Sequence, residues 1–342
     1  MYERELEATA AAMVAKGRGI LAIDESAPTC KKRFESISVE STAENRRAYR
    51  ELLITVPGAA QFISGMILYD ETIRQSAADG TPFPVALKRQ GILTGIKVDA
   101  GAKKLAGAPG EKVTEGLDGL RERLAEYRGM GASFSKWRAV ITIGEGIPSS
   151  YCLDANAHAL ARYATLCQEA GLVPVVEPEV LMDGKHTIER CFEVTEATLR
   201  SVFNALYLQR VALEHMVLKA SMVISGSECP KREGVEEVAK QTLLCLKRAV
   251  PAAVPGIVFL SGGQGAEEAT AHLNAMNLMG PHPWPLSFSY GRALQEPALK
   301  TWRGQSANVA AAQKALYHRE KMNGAACLGR YTVQMEQEKA AA

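Results

Sequence analysis

One repeated unit restricts this chain more than any other feature: a short apolar run followed by a longer stretch of helical character. The runs fall at residues 19–24 (GILAID), 63–69, 92–99, 134–143, 172–177, 215–220, 256–261 and 286–290. Between them lie helical stretches such as 155–170, which ends at the stop signal Gly171, and the similar 234–250 and 265–277. Near-continuous apolar strands that alternate with helices indicate a parallel sheet covered by helices on its outer face. Eight such units favour an α/β fold of the (β/α)₈, or TIM-barrel, type. An open doubly wound sheet is the competing arrangement, because periodicity alone does not report closure. No strand is followed by a GxGxxG or Walker pattern, which weakens the nucleotide-binding version of that alternative. A length of 342 residues suits one barrel with additions, so a single domain is expected over residues 1–342, with an N-terminal helix and a short C-terminal tail.

Charge and cysteine content narrow the partners. Forty Lys+Arg against 38 Asp+Glu leave a net charge of +2, which argues against nucleic acid or a polybasic membrane surface as the main partner. Basic residues that bind an anion must then be gathered locally. The seven cysteines are odd in number and widely spaced, with no CxxC pair, and indicate a reducing compartment. No segment has the roughly 18 uninterrupted apolar residues of a membrane span. The first seventeen residues mix acidic and basic side chains without an apolar signal core. A cytoplasmic protein is expected; a plastid transit peptide already removed is the alternative left open.

The expected strands end in charge: Asp24 after GILAI, Lys97 and Asp99 in GIKVD, Lys136 and Arg138 in KWR, Glu177 and Glu179 in VVEPE, Lys219 in MVLKA. Residues two apart in a strand share a face, so each pair points one way and Trp137 points the other. Inward charge is costly unless it is neutralised or serves chemistry. For any one pair, a capping or surface role is the simpler account; the set, all at strand ends, points to a site. A barrel places its active site there.

Lys219 is the candidate nucleophile. An ordinary ammonium, with a pKa near ~10.4, is almost wholly protonated at neutrality, and lowering it by about three costs on the order of 4 kcal/mol. Burial or neighbouring cations such as Lys136 and Arg138 can supply part of that. The apolar residues Met216, Val217 and Leu218 precede Lys219 and favour desolvation. Taken alone, a lysine snorkelling out of a strand end would be the simpler reading.

Two glycine-bearing loops read as phosphate cradles: residues 260–265 (LSGGQG), which open a helical stretch, and 289–292 (SYGR), where a flexible glycine precedes an arginine. They follow the seventh and eighth strands, the usual phosphate position in this fold. Metal catalysis finds no support, since the six histidines are scattered without HxxxH or HExxH spacing and read as surface or satisfied side chains. A GxSxG nucleophile elbow is also absent.

GILAIDES, GIKVDAG, EGLDG, KWR, VPVVEPE, VLKASMV, FLSGGQ, LNAMN and SFSYGRAL stand in order along the chain. This series resembles the class I, Schiff-base-forming fructose-bisphosphate aldolases, from about Met1 to Tyr331. The resemblance implies a (β/α)₈ barrel, a homotetramer and a metal-independent lyase without cofactor that acts in glycolysis and gluconeogenesis. Its implied reaction is the reversible cleavage of fructose 1,6-bisphosphate to dihydroxyacetone phosphate and glyceraldehyde 3-phosphate. It further implies that Lys219 forms the Schiff base, that Glu177 shuttles protons with Glu179 in support, and that Asp24 takes the hydroxyl proton. Lys136 and Arg138 would stabilise the carbinolamine and contact substrate, with Lys97 as another site lysine. Ser261, Gly262, Gly291 and Arg292 would hold one phosphate, and Ser26, Thr29 and Arg33 would lie near the second. Thr29 stands where the family usually has serine, Ala100 where lysine is common, Ala220 where proline is common and Gly265 where serine is common. Many members carry a longer tail ending in a tyrosine that assists proton exchange on the enamine. The last tyrosine here is Tyr331, so that step carries over to no residue of this chain.

Overall fold

The apolar runs become the staves of a closed barrel in a computed structural model that describes residues 2–337. In chain order the strands are β1 (Gly19–Ala22), β2 (Ile63–Leu68), β3 (Leu93–Lys97), β4 (Ala102–Lys104), β5 (Lys112–Thr114), β6 (Phe134–Ile141), β7 (Val173–Val180), β8 (Val217–Ala220), β9 (Ile257–Phe259) and β10 (Leu286–Tyr290). Eight of them pair in the order β1-β10-β9-β8-β7-β6-β3-β2, every pairing is parallel, and the ring closes. Closure removes the exposed edges that an open sheet would have had to protect.

The remaining two strands, β4 and β5, form a separate antiparallel pair that the sequence reading did not foresee. Lys103, Lys104 and Lys112 are exposed there, so no apolar run marks the hairpin. Strand bounds also differ from expectation, and β1, β3 and β9 stop short of Asp24, Asp99 and Ser261. β7 continues to Val180 instead of ending at Glu177, and a 3₁₀ turn over Leu213–His215 delays β8 until Val217. The helix expected from residue 155 already begins at Ser150, because the Ser149 hydroxyl accepts a hydrogen bond from the Cys152 N–H and caps it.

Period-two alternation sorts each strand into two cores. Outward residues such as Trp137, Ile141, Val176 and Leu218 join the large cluster beneath the surrounding helices. Inward residues Ile20, Ala22, Ile67, Phe134, Val173, Val175, Val217 and Val258 form a second cluster with Leu6, Ala10 and Met13 of the helix Glu3–Met13. That helix covers the end where the strands begin. Phe134 fills the interior at this level because its neighbours are glycines. A Cβ on Gly65 would meet the Phe134 ring at 2.9 Å, and one on Gly95 would overlap it. Burying such a ring contributes roughly 3 kcal/mol.

Further along each strand the inward positions change character. Asp24 follows Ala22, Lys136 and Arg138 follow Phe134, Glu177 and Glu179 follow Val175, and Lys219 follows Val217. One end of the barrel is therefore packed hydrocarbon, and the other is lined with charge.

Candidate active site

At the charged end lies a cavity of about 560 Å³. Its lining contains Asp24, Ser26, Thr29, Arg33, Lys97, Lys136, Arg138, Glu177, Glu179, Lys219, Ser261, Gly262, Gly291 and Arg292, while Asp99, also singled out from the sequence, is not part of it.

Strand register sets the central contacts. Arg138 lies opposite Glu177 across β6 and β7, while Val175 lies opposite Val217 across β7 and β8. Two residues beyond that second pair, Lys219 Nζ reaches Glu177 Oε1 at 3.0 Å. Glu177 Oε2 lies 3.3 Å from Lys136 Nζ, which in turn contacts Asp24 Oδ2 at 2.6 Å. The result is an alternating chain, Lys219–Glu177–Lys136–Asp24, drawn from four elements and closed to bulk water. All four side chains are at most 13% exposed. Arg138 pairs with Glu179, and Lys97 pairs with Asp99 at 3.3 Å while lying over the Tyr69 ring.

Burial by itself would lift the Asp24 carboxyl, but Lys136, Lys219 and Lys97 outweigh it and hold Asp24 well below the usual carboxylate range. Burial likewise opposes ionisation of Glu177, and Lys136, Lys219 and Arg138 reverse the balance and lower it. Lys136 responds in kind: burial disfavours its ammonium, yet Asp24, Glu177 and Asp99 hold it above the ordinary lysine value. Asp24, Glu177 and Lys136 thus maintain one another in the charged state. The sequence reading gave Lys136 and Arg138 the task of disfavouring the Lys219 ammonium. Both are instead committed to carboxylates, and Lys219 itself is paired with one. What the site supplies is a proton acceptor at hydrogen-bond distance from the amine.

The two glycine-bearing loops line the same cavity as this chain of charges. Gly262 and Gly263 adopt φ values of 57° and 100°, a left-handed turn open to glycine, directly after Ser261. A Cβ on Gly263 would lie 3.5 Å from the Arg292 guanidinium, so the two loops meet. Arg292 opens the helix Arg292–Trp302 directly after Gly291. Glu268 partly occupies the helix N-terminus at Ala266–Leu278, its Oε2 accepting the Gly265 N–H at 3.2 Å. On the facing side Ser26 precedes the helix Ala27–Glu35, and its hydroxyl lies 3.2 Å from that of Thr29.

Sequence reasoning missed four contributors. Glu25, Lys32 and Ser36 also line the cavity, and the buried Arg50 lies behind it. Glu25 stands between two residues that were singled out, and that adjacency was the one available signal. Arg50 sits inside the helix Ala43–Ile54 with nothing local to mark it. Nor are all the histidines satisfied. His272 Nδ1 donates to Gln264 Oε1 at 2.7 Å, whereas both ring nitrogens of His186 lack a partner. Among the described residues, no group of three or more His, Cys, Asp or Glu side chains is arranged to hold a metal ion.

Comparison with known proteins agrees with this geometry. The family model described as Fructose-bisphosphate aldolase class-I matches residues 5–342. A protein named "Probable fructose-bisphosphate aldolase class 1" from Xanthomonas campestris pv. campestris is 63% identical over 97% of this chain and 99% of its own. The fructose-bisphosphate aldolase of Dictyostelium discoideum is 54% identical, covering 97% of this chain and 94% of that protein. Among solved structures, the fructose-bisphosphate aldolase of Plasmodium falciparum, crystallised with TRAP and a small-molecule inhibitor, superimposes with a TM-score of 0.95. It is 48% identical, over 96% of this chain and 95% of that one.

Proposed function

The chain belongs to the class-I fructose-bisphosphate aldolase family, a group of metal-independent lyases, and from that premise we propose that it cleaves fructose 1,6-bisphosphate reversibly through a Schiff base on Lys219. The observation that carries this reading is the buried chain Lys219–Glu177–Lys136–Asp24, with its contacts of 3.0, 3.3 and 2.6 Å.

The steps follow from the chemistry of those groups. The Lys219 ammonium passes a proton to Glu177, and the neutral amine adds to the C2 carbonyl of the ketose. Glu177 returns the proton to the carbinolamine hydroxyl, water leaves, and a protonated imine remains. Lys136 places a positive charge beside the oxygen that leaves. Asp24, ionised throughout the working pH range, removes the C4 hydroxyl proton. The C3–C4 bond then breaks, its electrons flowing into the iminium to give an enamine, and glyceraldehyde 3-phosphate departs. Protonation at C3 and hydrolysis of the imine release dihydroxyacetone phosphate and restore the amine. An iminium provides the electron sink that bond cleavage beta to a carbonyl requires, with no metal involved. Ser261, Gly262, Gly291 and Arg292 would anchor the C1 phosphate, and Ser26, Thr29 and Arg33 the C6 phosphate. Arg138, Lys97 and Glu179 would hold the hydroxylated chain between them.

The same reading makes the protein a cytoplasmic homotetramer of glycolysis and gluconeogenesis, and sedimentation of the purified protein reports its assembly. The mechanism is tested by borohydride reduction in the presence of dihydroxyacetone phosphate, followed by peptide mapping. The expected adduct is on Lys219. A label elsewhere, or none, overturns the Schiff-base mechanism.

A further inference from the structure

Glu25 is the carboxylate of the cavity lining that this mechanism leaves without a task. It follows Asp24 in the loop after β1, and successive residues of an extended loop point opposite ways. Asp24 turns inward to Lys136; Glu25 turns toward three helices. Its Oε1 lies 2.6 Å from Arg33 Nη1 and accepts a hydrogen bond from Gln295 Nε2 at 2.8 Å. Its Oε2 accepts from Arg50 Nη1 at 2.7 Å, and its backbone carbonyl accepts from Arg50 Nη2 at 3.2 Å. The carboxylate is 6% exposed and Arg50 is 2% exposed, whereas Arg33 is 21% exposed and lines the cavity.

The three partners are not equivalent. Arg50, on the helix Ala43–Ile54, is buried and reaches no substrate; two bonds to Glu25 and a contact with Cys30 Sγ at 3.1 Å hold it. Gln295 sits on the helix that Arg292 opens, and it is fixed in turn by donating to the Ala22 carbonyl at 2.6 Å and accepting from the Tyr49 hydroxyl at 3.2 Å. Arg33, in the last turn of the helix Ala27–Glu35, is the most exposed of the three and lines the cavity. Its Nη2 falls 4.0 Å from where a Cβ on Gly291 would stand, so the guanidinium spans from Glu25 to the other cradle. Arginine carries considerable rotamer entropy, and a charge-assisted bond to a fixed carboxylate removes much of it before a ligand arrives.

We propose that Glu25, clamped by Arg50 and Gln295, is a positioning residue that presets Arg33 for the second phosphate and thereby sets the preference for bisphosphorylated over monophosphorylated ketoses. The proposal rests on the aldolase reading above and assigns a residue that takes no part in bond making. A carboxylate beside an anion site is otherwise unfavourable by charge. Two guanidiniums for one carboxylate leave the cluster at net +1, so an arriving phosphate still meets positive charge.

The test is a double-mutant cycle in the full-length protein, with steady-state kinetics on fructose 1,6-bisphosphate and on fructose 1-phosphate, which lacks the second phosphate. Glu25→Gln keeps the shape and removes the charge. It should raise KM for the bisphosphate by about tenfold, the scale of one lost charge-assisted bond, with kcat within about threefold. KM for the monophosphate should move by no more than about twofold. In an Arg33→Ala background, adding Glu25→Gln should produce no further rise, because one acts through the other. Equal shifts on both substrates, a fall in kcat alone, or additive effects in the cycle would overturn the proposal. Glu25→Gln leaves Arg50 buried beside an uncharged amide, so Glu25→Asp is measured with it. That variant keeps the charge and retracts it from Arg33. A smaller but equally selective rise supports the proposal, and its absence overturns it. Borohydride trapping on the same proteins separates the two readings. A labelled Lys219 with no KM selectivity sinks the role of Glu25 alone, while an unlabelled unmodified protein sinks the Schiff base.

Discussion

Lys219 Nζ lies 3.0 Å from Glu177 Oε1, and the other oxygen of that carboxylate faces Lys136 at 3.3 Å, so one buried acid touches two lysines of the site. Glu177→Gln keeps the volume but can no longer accept a proton. Turnover should fall about 10²–10⁴-fold, the usual contribution of a positioned acid/base. Imine trapping with borohydride should slow in parallel; unchanged trapping would assign the proton transfer to another group.

In the proposed mechanism Asp24 serves the cleavage step, not imine formation. Asp24→Asn should abolish most fructose 1,6-bisphosphate cleavage, by about 10³-fold or more, while dihydroxyacetone phosphate is still trapped on Lys219. Because Lys136, Lys219 and Lys97 overcome burial and hold this carboxyl well below the usual range, it stays ionised through mildly acid conditions. Its titration should therefore not limit kcat/KM between pH 5 and 8, a window set by ordinary assay practice at roughly neutral pH. A loss of activity in that window that Asp24→Asn removes from the residual rate would contradict this.

Glu320 is fully buried on the helix Val309–Ala326, neither carboxyl oxygen has a hydrogen-bond partner, and burial pushes its pKa up to about 8. The folded protein keeps this proton where an unfolded chain, with an ordinary value near ~4.3, has lost it. The native state thus binds more protons between those values, and stability falls as pH rises from about 4.3 to about 8, then levels off. Glu320→Gln should unfold at the same temperature as the parent near pH 4.5 and several degrees higher near pH 8.5, the gap corresponding to at most on the order of 4 kcal/mol. A gap independent of pH in thermal denaturation would refute the assignment.

Gly95 leaves the space that the Phe134 ring occupies. Gly95→Ala should cost about 1–3 kcal/mol through overpacking, read as a lower denaturation midpoint with an unchanged slope. Gly91, whose Cβ would meet nothing within 4 Å, sits at a left-handed helix end with φ 74° and tests backbone strain instead of space.

Chelation should leave the rate unaltered. The family is metal-independent, and among the described residues no His, Cys, Asp or Glu cluster has the arrangement of a metal site. Assay after exhaustive treatment with a chelator checks this, and a loss restored by a divalent cation would sink it.

Much of this was legible before any coordinates. The eight apolar runs became eight barrel strands because a short, near-continuous apolar segment has few stable environments other than a sheet buried on both faces. The charged ends in KWR and VVEPE pointed inward because alternation is a property of the extended backbone itself. The hairpin of β4 and β5 stayed hidden, since its lysines face water and its six residues carry no hydrophobic pattern. Glu25 and Arg50 were missed for a different reason. Each is an ordinary charged residue locally, and only their mutual burial distinguishes them.

Sequence by itself therefore determined the eight barrel strands, the face their side chains take and most of the residues at the charged end. These are set by bond geometry and by the free energy of removing apolar groups from water, both of which act over a few residues. Tertiary structure alone decided which charges meet. Residues 24, 136, 177 and 219 become one chain of contacts only when closure and register bring four strand ends together. Lys219 thereby gained a carboxylate as its partner where the linear reading had surrounded it with cations. Coulomb interactions depend on distance through space, and distance through space is what the linear order does not contain.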